Sequence, residues 1–542
     1  MKKYILQLGL LAGFLAFQAC ETQLDEIPVS DLSNEGVLKD SIGFEAYITG
    51  LHQAARDEFT NTDGINHNFN MHFGTDIATT GSETIAPFRN YQTFLTPNQT
   101  VVSFYWNWAY QKMILRANTI IEYMAKPEAA GYYRKEASRN AVVAEARFFR
   151  AYAYNVLANL YGGVPIVDQV YAVPKTDFVR SSRQEVYEFA KTDLEFAAQW
   201  LPLTVDKSKE GRIVRAAADH LLSEVYLSLG DYNKSIEAAS RVINSGLYNL
   251  MTTRFGSEKD KAGDVFSDLF RNGNQNRSSG NRESIYVLQI EDLTPGGQGG
   301  TGGNNNLRAW APFISTLKDP AGKNGFVVSD SLGRGVGWVR PNNYFNYTIW
   351  QDNFTNDMRN SRFNIRRSYK YNNKASAYYN TTVEKRTNKV DTLYLIYPTI
   401  RKIEGNVPKS GDNSTGRVFT DLYVYRLAET YLLRAEAYFK NGDVQKAAED
   451  INVVRRRANA KPALPAEMSL DYILDERARE LTVEEPRRRT LVRMGNLVER
   501  VKKYNIREDT RTSIQEKHLF FPIPQTAIDA NFSVKLEQNN GY

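Results

Sequence analysis

The chain has 542 residues, 42% of them hydrophobic and 24% charged, a composition that predicts a folded globular protein and excludes a largely disordered one. Its 68 basic and 62 acidic residues give a net charge of +6, too small a surplus to indicate a nucleic-acid-binding protein. The single cysteine excludes an internal disulfide. Aromatic residues reach 12%, and such rings suit both helix packing and stacking on sugars.

Residues 1–19 predict an export signal, since two lysines precede an apolar run from Tyr4 to Phe17. The run is shorter than the ~20 residues that a membrane-spanning helix needs, so we expect cleavage. Cys20 then stands where a bacterial lipoprotein carries its lipidated thiol. We therefore predict lipidation at Cys20 and interpret residues 20–40 as this cysteine with a polar, acidic tether. The alternative is a plain secretory signal with an incidental cysteine.

Helical periodicity follows over much of residues 41–250, which we predict to be N-terminal helical hairpins. The first helix begins near Ser41 and keeps its apolar spacing to Phe59. Residues 60–100 lose the periodicity among Gly, Asn, Thr and Pro, and a loop of that length is usually functional. Helical patterns return over three further stretches, residues 101–124, 142–161 and 185–200.

One helical hairpin pattern occurs twice. Residues 425–460 carry apolar or small residues at i, i+3, i+4 and i+7 on both sides of a turn at Gly442, where glycine can adopt the left-handed conformation. Residues 221–246 repeat the layout around Gly230. Hairpins with this alanine, tyrosine and glycine pattern are typical of tetratricopeptide repeats. The predicted fold is mainly α, a tetratricopeptide-like helical hairpin array; the alternative is an ordinary helical domain with coincidental similarity.

Residues 251–417 differ from the helical segments on either side because they are rich in Asn, Gly, Ser and aromatic residues. We predict an irregular, loop-rich insertion with strand-like runs at residues 285–290 and 392–397. Residues 418–542 return to a helical hairpin, add a helix at 472–483 and end in a polar tail.

The sequence motifs of catalytic and cofactor-binding sites are either missing or lack the flanking elements that such sites require. The glycine run from Gly297 to Gly302 fits GxGxxG, but asparagines follow it where a dinucleotide site needs an apolar helix. The five histidines show no HExxH spacing, and no GxSxG sequence occurs. We therefore predict no enzyme, no cofactor and no metal site. The arginine runs 455–457 and 487–489 indicate solvated or salt-bridged faces more than an anion site.

Several motifs resemble the SusD-like (RagB/SusD) family of outer-membrane lipoproteins of Bacteroidetes. The hairpin at residues 425–459 is similar to the family's tetratricopeptide unit. Three further stretches carry motifs of the family, namely residues 114–118, 144–167 and 480–495. Within the last of these, Thr490 and Met494 depart from the family pattern. The ending, residues 521–542, resembles the family's terminal motif, so the resemblance spans nearly the whole chain after the signal.

The resemblance implies a lipid-anchored protein of the outer membrane that faces the cell exterior. Such a protein captures oligosaccharides and passes them to a SusC-like TonB-dependent transporter, on which it sits as a lid. The family motifs are scaffold and transfer no binding residue. A tetratricopeptide scaffold that binds a protein partner without glycan is the alternative, and an extracellular glycosidase is a third hypothesis.

Two loops, residues 76–91 and 304–350, hold aromatic and planar polar residues together. A glycan site requires both, because sugar C–H faces stack on rings while hydroxyls bind amide, carboxylate and guanidinium groups. Tryptophan in irregular polar sequence lacks the helical neighbours that usually bury it. The candidate glycan-binding residues are Asp76, Arg89, Tyr91, Trp310, Trp338, Asn343, Tyr344 and Trp350. The alternative, equally weighted for any one tryptophan, is that its ring pins a long loop to the body of the protein.

Overall fold

A computed structural model describes residues 33–60, 67–297, 303–329, 331–384, 388, 391–405 and 416–542. The predicted signal peptide, Cys20 and most of the tether lie outside these residues, as does most of the glycine run from Gly297 to Gly302. Among the helices described, none combines the length and the apolar character that crossing a membrane requires.

The first half of the chain is a succession of helices around one long central helix. These helices are α1 Asn34–Val37, α2 Ser41–Thr60, α3 Tyr91–Phe94, α4 Thr100–Asn107, α5 Leu115–Met124, α6 Ala129–Tyr132, α7 Glu136–Tyr161, α8 Arg183–Trp200, α9 Arg215–Leu229 and α10 Tyr232–Ile243. A π-helical turn, Trp108–Ile114, joins α4 to α5. Every residue of α7 from Phe148 to Tyr161 is buried, so other parts of the protein pack on all faces of this helix.

The insertion contains short helices and short strands between irregular segments, and two of its four described strands pair with strands outside it. Its helices are α11 Val265–Asp268, α12 Asn306–Trp310 and α13 Asn343–Asn346. The strands pair as β1 Ala78–Thr80 with β3 Val339–Pro341, β2 Ser284–Leu288 with β6 Leu422–Arg426, and β4 Ile365–Arg366 with β5 Thr399–Ile400. The strand predicted at residues 285–290 is thus present. The strand predicted at 392–397 is wrong, because Asp391–Leu395 forms a π-helical turn closed by the N–H of Ile396 on the carbonyl of Asp391 at 2.9 Å.

The C-terminal part of the chain is again helical. Its helices are α14 Leu427–Lys440, α15 Val444–Arg457, α16 Leu470–Leu481, α17 Arg487–Arg493, α18 Leu497–Tyr504, α19 Glu508–Ser513 and α20 Gln525–Ala530. The expected polar tail is not a free segment. Phe521 and Ile523 are fully buried, and the N–H of Phe521 donates to the carbonyl of Leu160 on α7. The tail therefore packs against the central helix α7.

The hairpins α7/α8, α9/α10 and α14/α15 pack side by side, since α8 lies on α9 and α10 lies on α14. The array is therefore continuous across the insertion. Gly230 and Gly442 take positive φ angles of 80° and 85° at the hairpin turns. Asp231 and Asp443 follow them and accept a backbone N–H at 3.1 and 3.0 Å, which caps the second helix of each pair. The mainly α, tetratricopeptide-like prediction is confirmed.

Buried ion pairs bind the insertion to the C-terminal helices. Arg359 contacts Glu476 and Glu480 at 2.8 and 3.1 Å, and all three side chains are fully buried. Glu283 contacts Arg457 at 2.7 Å from the other side of the same cluster. The arginine run 455–457 is therefore salt-bridged, as predicted, but two of its three members face the interior and not the solvent.

Candidate functional site

Three loop segments meet at two glycines beyond the end of the β1/β3 pair. The N–H of Gly81 donates to the carbonyl of Trp338 at 2.9 Å, and the N–H of Ser82 to that of Gly337 at 3.1 Å. A Cβ atom on Gly81 would lie 2.3 Å from the Gly337 carbonyl oxygen, and one on Gly337 would lie 2.8 Å from the ring of Tyr394. Only glycine at both positions lets the three segments approach this closely.

Three half-buried rings lie on these segments, and we call Phe313, Trp338 and Tyr394 the aromatic surface. The N–H of Phe313 donates to the carbonyl of Tyr394 at 3.0 Å, and their ring centroids are 5.3 Å apart. The Trp338 ring is held 6.4 Å from that of Phe69, and the Arg308 guanidinium lies 5.5 Å from its centroid. The rings are therefore fixed in place while part of each remains open to solvent.

A polar rim of Glu83, Arg89, Arg507 and Asp509 borders the Ser82 end of this surface. The Glu83 carboxylate accepts from Arg89 at 2.6 Å and from Arg507 at 3.0 Å, and Arg89 approaches Asp509 at 3.7 Å. Burial alone would raise the pKa of Glu83, but the hydrogen bonds and charges of Arg507 and Arg89 hold it below its ordinary value. The rim thus offers an ionised carboxylate and guanidinium groups, whose acceptors and donors match sugar hydroxyls.

Four of the predicted site residues are buried and present no face to a ligand in this structure. Asp76 is fully buried, with Arg487 and Arg500 at 2.6 and 2.7 Å. Burial would raise the pKa of Asp76, but these two guanidinium groups lower it to about 2. Tyr91 is also fully buried, and its hydroxyl donates to the carbonyl of Gly74 at 3.0 Å.

The other two are tryptophans. Trp310 is 1% exposed, with its ring 5.0 Å from that of His72, and Trp350 is 2% exposed, with its indole N–H donating to Phe345 at 2.7 Å. Their assignment as ligand-stacking residues is corrected, because packing uses both faces of these rings. The alternative, rings that pin loops to the body, describes Trp310 and Trp350.

The remaining four predicted residues are accessible. Trp338 and Arg89 lie on the segments that meet at Gly81, in the aromatic surface and the polar rim. Asn343 is exposed and accepts a hydrogen bond from Arg340 at 2.7 Å. Tyr344 is half-buried, stacks 3.6 Å from Tyr504 and donates to Asp475 at 2.6 Å. We therefore keep these four as candidates and place Trp338 at the centre.

Sequence reasoning missed Phe313 and Tyr394. Phe313 lies in the loop of residues 304–350, where the sequence favours tryptophan as the stacking residue. Tyr394 lies in residues 392–397, which the sequence predicts as a strand with alternate residues buried. Both rings are half-buried because residues 313 and 394 contact each other. This contact cannot be predicted from a local sequence pattern, since the two residues are far apart in the chain.

A separate groove of about 800 Å³ lies between α5, the segment 165–178 and the C-terminal tail. We call it the tail groove, and its lining is largely apolar. Prominent lining side chains are Trp106, Tyr110, Leu115, Val173, Phe178, Ala527 and Leu536. Val173 is 72% exposed at its edge. The tail groove shares no lining residue with the aromatic surface.

No group of three or more His, Cys, Asp or Glu side chains that could hold a metal ion occurs in the part of the chain that the structure describes. His72 and His518 are buried, and burial together with neighbouring cations lowers their pKa to about 3 and about 4. Both imidazoles are therefore neutral at physiological pH.

Two family models match the chain. The model described as "SusD family" matches residues 272–542, and the model described as "Starch-binding associating with outer membrane" matches residues 24–227. Since the first alone covers half of the chain, the protein belongs to the SusD family, and the resemblance inferred from its motifs is confirmed.

Individual relatives are distant. The chain is 28% identical over 298 residues to "SusD-like protein P2" of Formosa agariphila, a match that spans about half, 53%, of either chain. It is 24% identical over 570 residues to "SusD-like protein P25" of the same organism, covering 98% of both. Among solved structures, a "Laminarin binding SusD-like protein" has a TM-score of 0.69 at 20% identity and covers 93% of this chain and 100% of its own. At such identity the structural likeness shows the fold.

Proposed function

We propose that this protein binds oligosaccharides at the aromatic surface and polar rim without catalysing a reaction. The observation that carries the proposal is the half-buried Trp338 ring, fixed beside Phe69 and Arg308, with Phe313 and Tyr394 on the segments that meet it at Gly81 and Gly337. Membership of a family one of whose models is described as starch-binding, and the laminarin-binding name of a structural relative, support it.

The geometry suits a shallow contact with several sugar rings. A sugar ring stacks its C–H face on an aromatic plane, and a pre-fixed ring loses little entropy on binding. The Arg308 cation next to Trp338 and the Glu83 carboxylate with its two arginines supply donors and acceptors around the surface. The carboxylates already bound by arginine carry no feature of a catalytic pair, and we propose a binding protein.

The test of this site is glycan binding by calorimetry with Trp338→Ala. Losing the ring from a desolvated contact should cost roughly 1–3 kcal/mol, which is about five- to 150-fold in affinity. The matched control is Trp200→Ala, because Trp200 is also half-buried but ends α8, outside the aromatic surface. An equal affinity of both folded variants for every glycan that binds the wild type would contradict the placement.

The proposal includes delivery of the glycan to a SusC-like TonB-dependent transporter. The tail groove supports a protein partner, since exposed apolar side chains such as Val173 and Leu115, 72% and 45% exposed, mark interaction surfaces when they cluster. Val173→Asp combined with Leu115→Glu should abolish co-purification of the transporter from outer membranes and leave soluble glycan binding unchanged. Unaltered co-purification would remove the groove from the proposal.

The same groove would serve a tetratricopeptide scaffold that binds a protein partner without glycan. The two functions differ in one result, since the scaffold binds no glycan at any concentration. Glycan binding by the purified protein that depends on Trp338 would therefore decide for the capture function.

We further propose that Cys20 carries the lipid that holds the protein on the outer membrane, facing the exterior. The support is the sequence around Ala19–Cys20 and the outer-membrane description of one family model. Cys20→Ala should move the protein from the membrane fraction to the soluble fraction. Incorporation of labelled palmitate into that variant would show that the lipid is attached elsewhere.

A further inference from the structure

Three exposed apolar side chains lie on two neighbouring segments beside the tail groove. They are Val179, Phe532 and Val534, which are 69%, 80% and 40% exposed, and we call them the apolar tip. None of the three lines the tail groove, and none packs against the hydrophobic clusters of the described residues. Single exposed apolar side chains are common, but three on adjacent segments indicate a contact outside the chain.

Hydrogen bonds hold these two segments side by side. The N–H of Ser533 donates to the carbonyl of Thr176 at 3.0 Å, and the hydroxyls of the two residues lie 2.8 Å apart. The Asn531 side chain accepts from the N–H of Phe178 at 2.7 Å and donates to its carbonyl at 2.8 Å. The backbone on both sides of Phe532 is therefore fixed, and a fixed apolar surface loses little conformational entropy when it binds.

The charges beside the apolar tip are balanced. Lys175 contacts Asp177 at 2.5 Å, and Lys535 contacts Glu537 at 3.2 Å. Residues 173–180 and 529–537 carry three basic and three acidic side chains in total, so their net charge is zero. Such a surface selects neither an acidic nor a basic partner. It suits a bilayer interface, where lysine side chains extend to the headgroups while an aromatic ring enters the apolar layer.

The chain enters the described structure close to the tail groove. Ser33 caps α1, and the Glu35 side chain of α1 accepts a hydrogen bond from Tyr123 near the end of α5. Leu115, at the other end of α5 and about 12 Å from Tyr123 along the helix, lines the tail groove. Cys20 precedes Ser33 by 13 positions, which span at most about 45 Å. A lipid on Cys20 therefore keeps the apolar tip within reach of the bilayer.

We propose that the apolar tip is a second membrane contact, which rests on the lipid bilayer with the Phe532 ring in its apolar layer. The inference rests on the proposed lipid at Cys20, since this anchor makes the bilayer the apolar partner that is always near. Tethering turns a weak contact into an intramolecular one, so three side chains suffice on an anchored protein. The contact orients the body and places the tail groove next to the membrane that contains its proposed partner.

The test supplies the tether without the lipid, so its result does not depend on lipidation of Cys20 or on glycan binding. The mature chain carries a histidine tag in place of Cys20 and attaches to phosphatidylcholine vesicles that contain a nickel-chelating lipid. Because Cys20 is the only cysteine, Lys535→Cys then provides a single thiol for a fluorescent label beside the apolar tip. Lys446→Cys on α15 is the matched control, since Lys446 is also exposed and ion-paired, with Asp443 at 2.9 Å.

Lipids brominated on the acyl chain should quench the label at Lys535→Cys and leave the label at Lys446→Cys unquenched. Adding Phe532→Ser should weaken the contact about tenfold, the effect expected for one buried aromatic side chain. Folding should be unaffected, because the ring is exposed. Leu203→Ser, in another loop and 54% exposed, should leave the quenching unchanged.

The inference is overturned if neither label is quenched, if both are quenched equally, or if Phe532→Ser leaves the quenching as it was. Quenching that appears only when the transporter is present in the vesicles overturns it as well, and places the apolar tip on that protein instead of the bilayer.

Discussion

Replacing Asp76 by alanine should destabilise the loop that carries Gly81 and Ser82 into the candidate site. The Asp76 carboxylate accepts from Arg487 at 2.9 and 2.6 Å and from Arg500 at 2.7 Å, and all three side chains are essentially without solvent exposure. Asp76→Ala therefore leaves two buried guanidinium groups without their shared counterion.

Removing one partner of a buried pair typically costs 3–5 kcal/mol of unfolding free energy. Part of the loss is offset here, since Arg500 keeps Asp471 and Asp475, and Arg487 keeps the carbonyl of Leu474 at 3.0 Å. We expect about 3 kcal/mol. With an unfolding entropy near 2.1 cal/mol/K per residue, a chain of this length should melt about 3 °C lower.

Scanning calorimetry at pH 7 measures the change, and Asp471→Ala is the matched control. Asp471 contacts the same Arg500 at 2.7 Å, but its side chain is 40% exposed, so its removal should cost under about 1 kcal/mol. Equal melting temperatures for the two variants would refute the reasoning that burial, and not the ion-pair contact itself, sets the cost.

Two other predictions follow from the same structure. Gly442→Ala should destabilise the protein by about 1 kcal/mol because Gly442 has a φ of 85°, whereas Gly50→Ala, inside α2 with open space around it, should stabilise it by about 0.5–1 kcal/mol. Urea titration measures both changes in the free energy of unfolding, and the same sign for both would contradict the prediction. Burial would raise the pKa of Glu145, Glu429 and Glu436, but hydrogen bonds from neighbouring side chains and the charges of neighbouring arginines lower each to about 2. Since these folded-state pKa values lie below the unfolded ones, their stabilisation is complete above about pH 4.5 and is lost as the pH falls towards 2; a urea midpoint constant from pH 5 to 3 would contradict it.

The sequence determined the helical hairpins because their signals are local. Apolar spacing marks the buried face of each helix, and Gly230 and Gly442 end a helix one residue before a capping aspartate. Every group involved in such a turn lies within a few residues. The family motifs are readable for the same reason, since they lie on this scaffold.

Which partners the charged residues contact is known only from the tertiary structure. Arg487 and Asp76 are 411 residues apart in the chain, and Arg426 and Glu283 are 143 apart. The arginine runs indicated ion pairs, but a run of charges is usually solvated. Only the folded chain shows that these pairs are buried, Arg487 against the N-terminal region and Arg426 against the insertion, where loss of water must be offset by contact geometry.

The candidate site divides in the same way. Tryptophan and tyrosine in irregular, polar sequence predict the loops of residues 76–91 and 304–350, and Trp338 and Arg89 are candidates from the sequence that the structure leaves accessible. Whether an aromatic ring can stack on a ligand or is buried in the core depends on which segments pack on it. Trp310 packs on His72 and Trp350 on Phe345, and both are buried, while Trp338 stays half-buried. Exposure is a property of packing between segments far apart in sequence, so only the tertiary structure decided it.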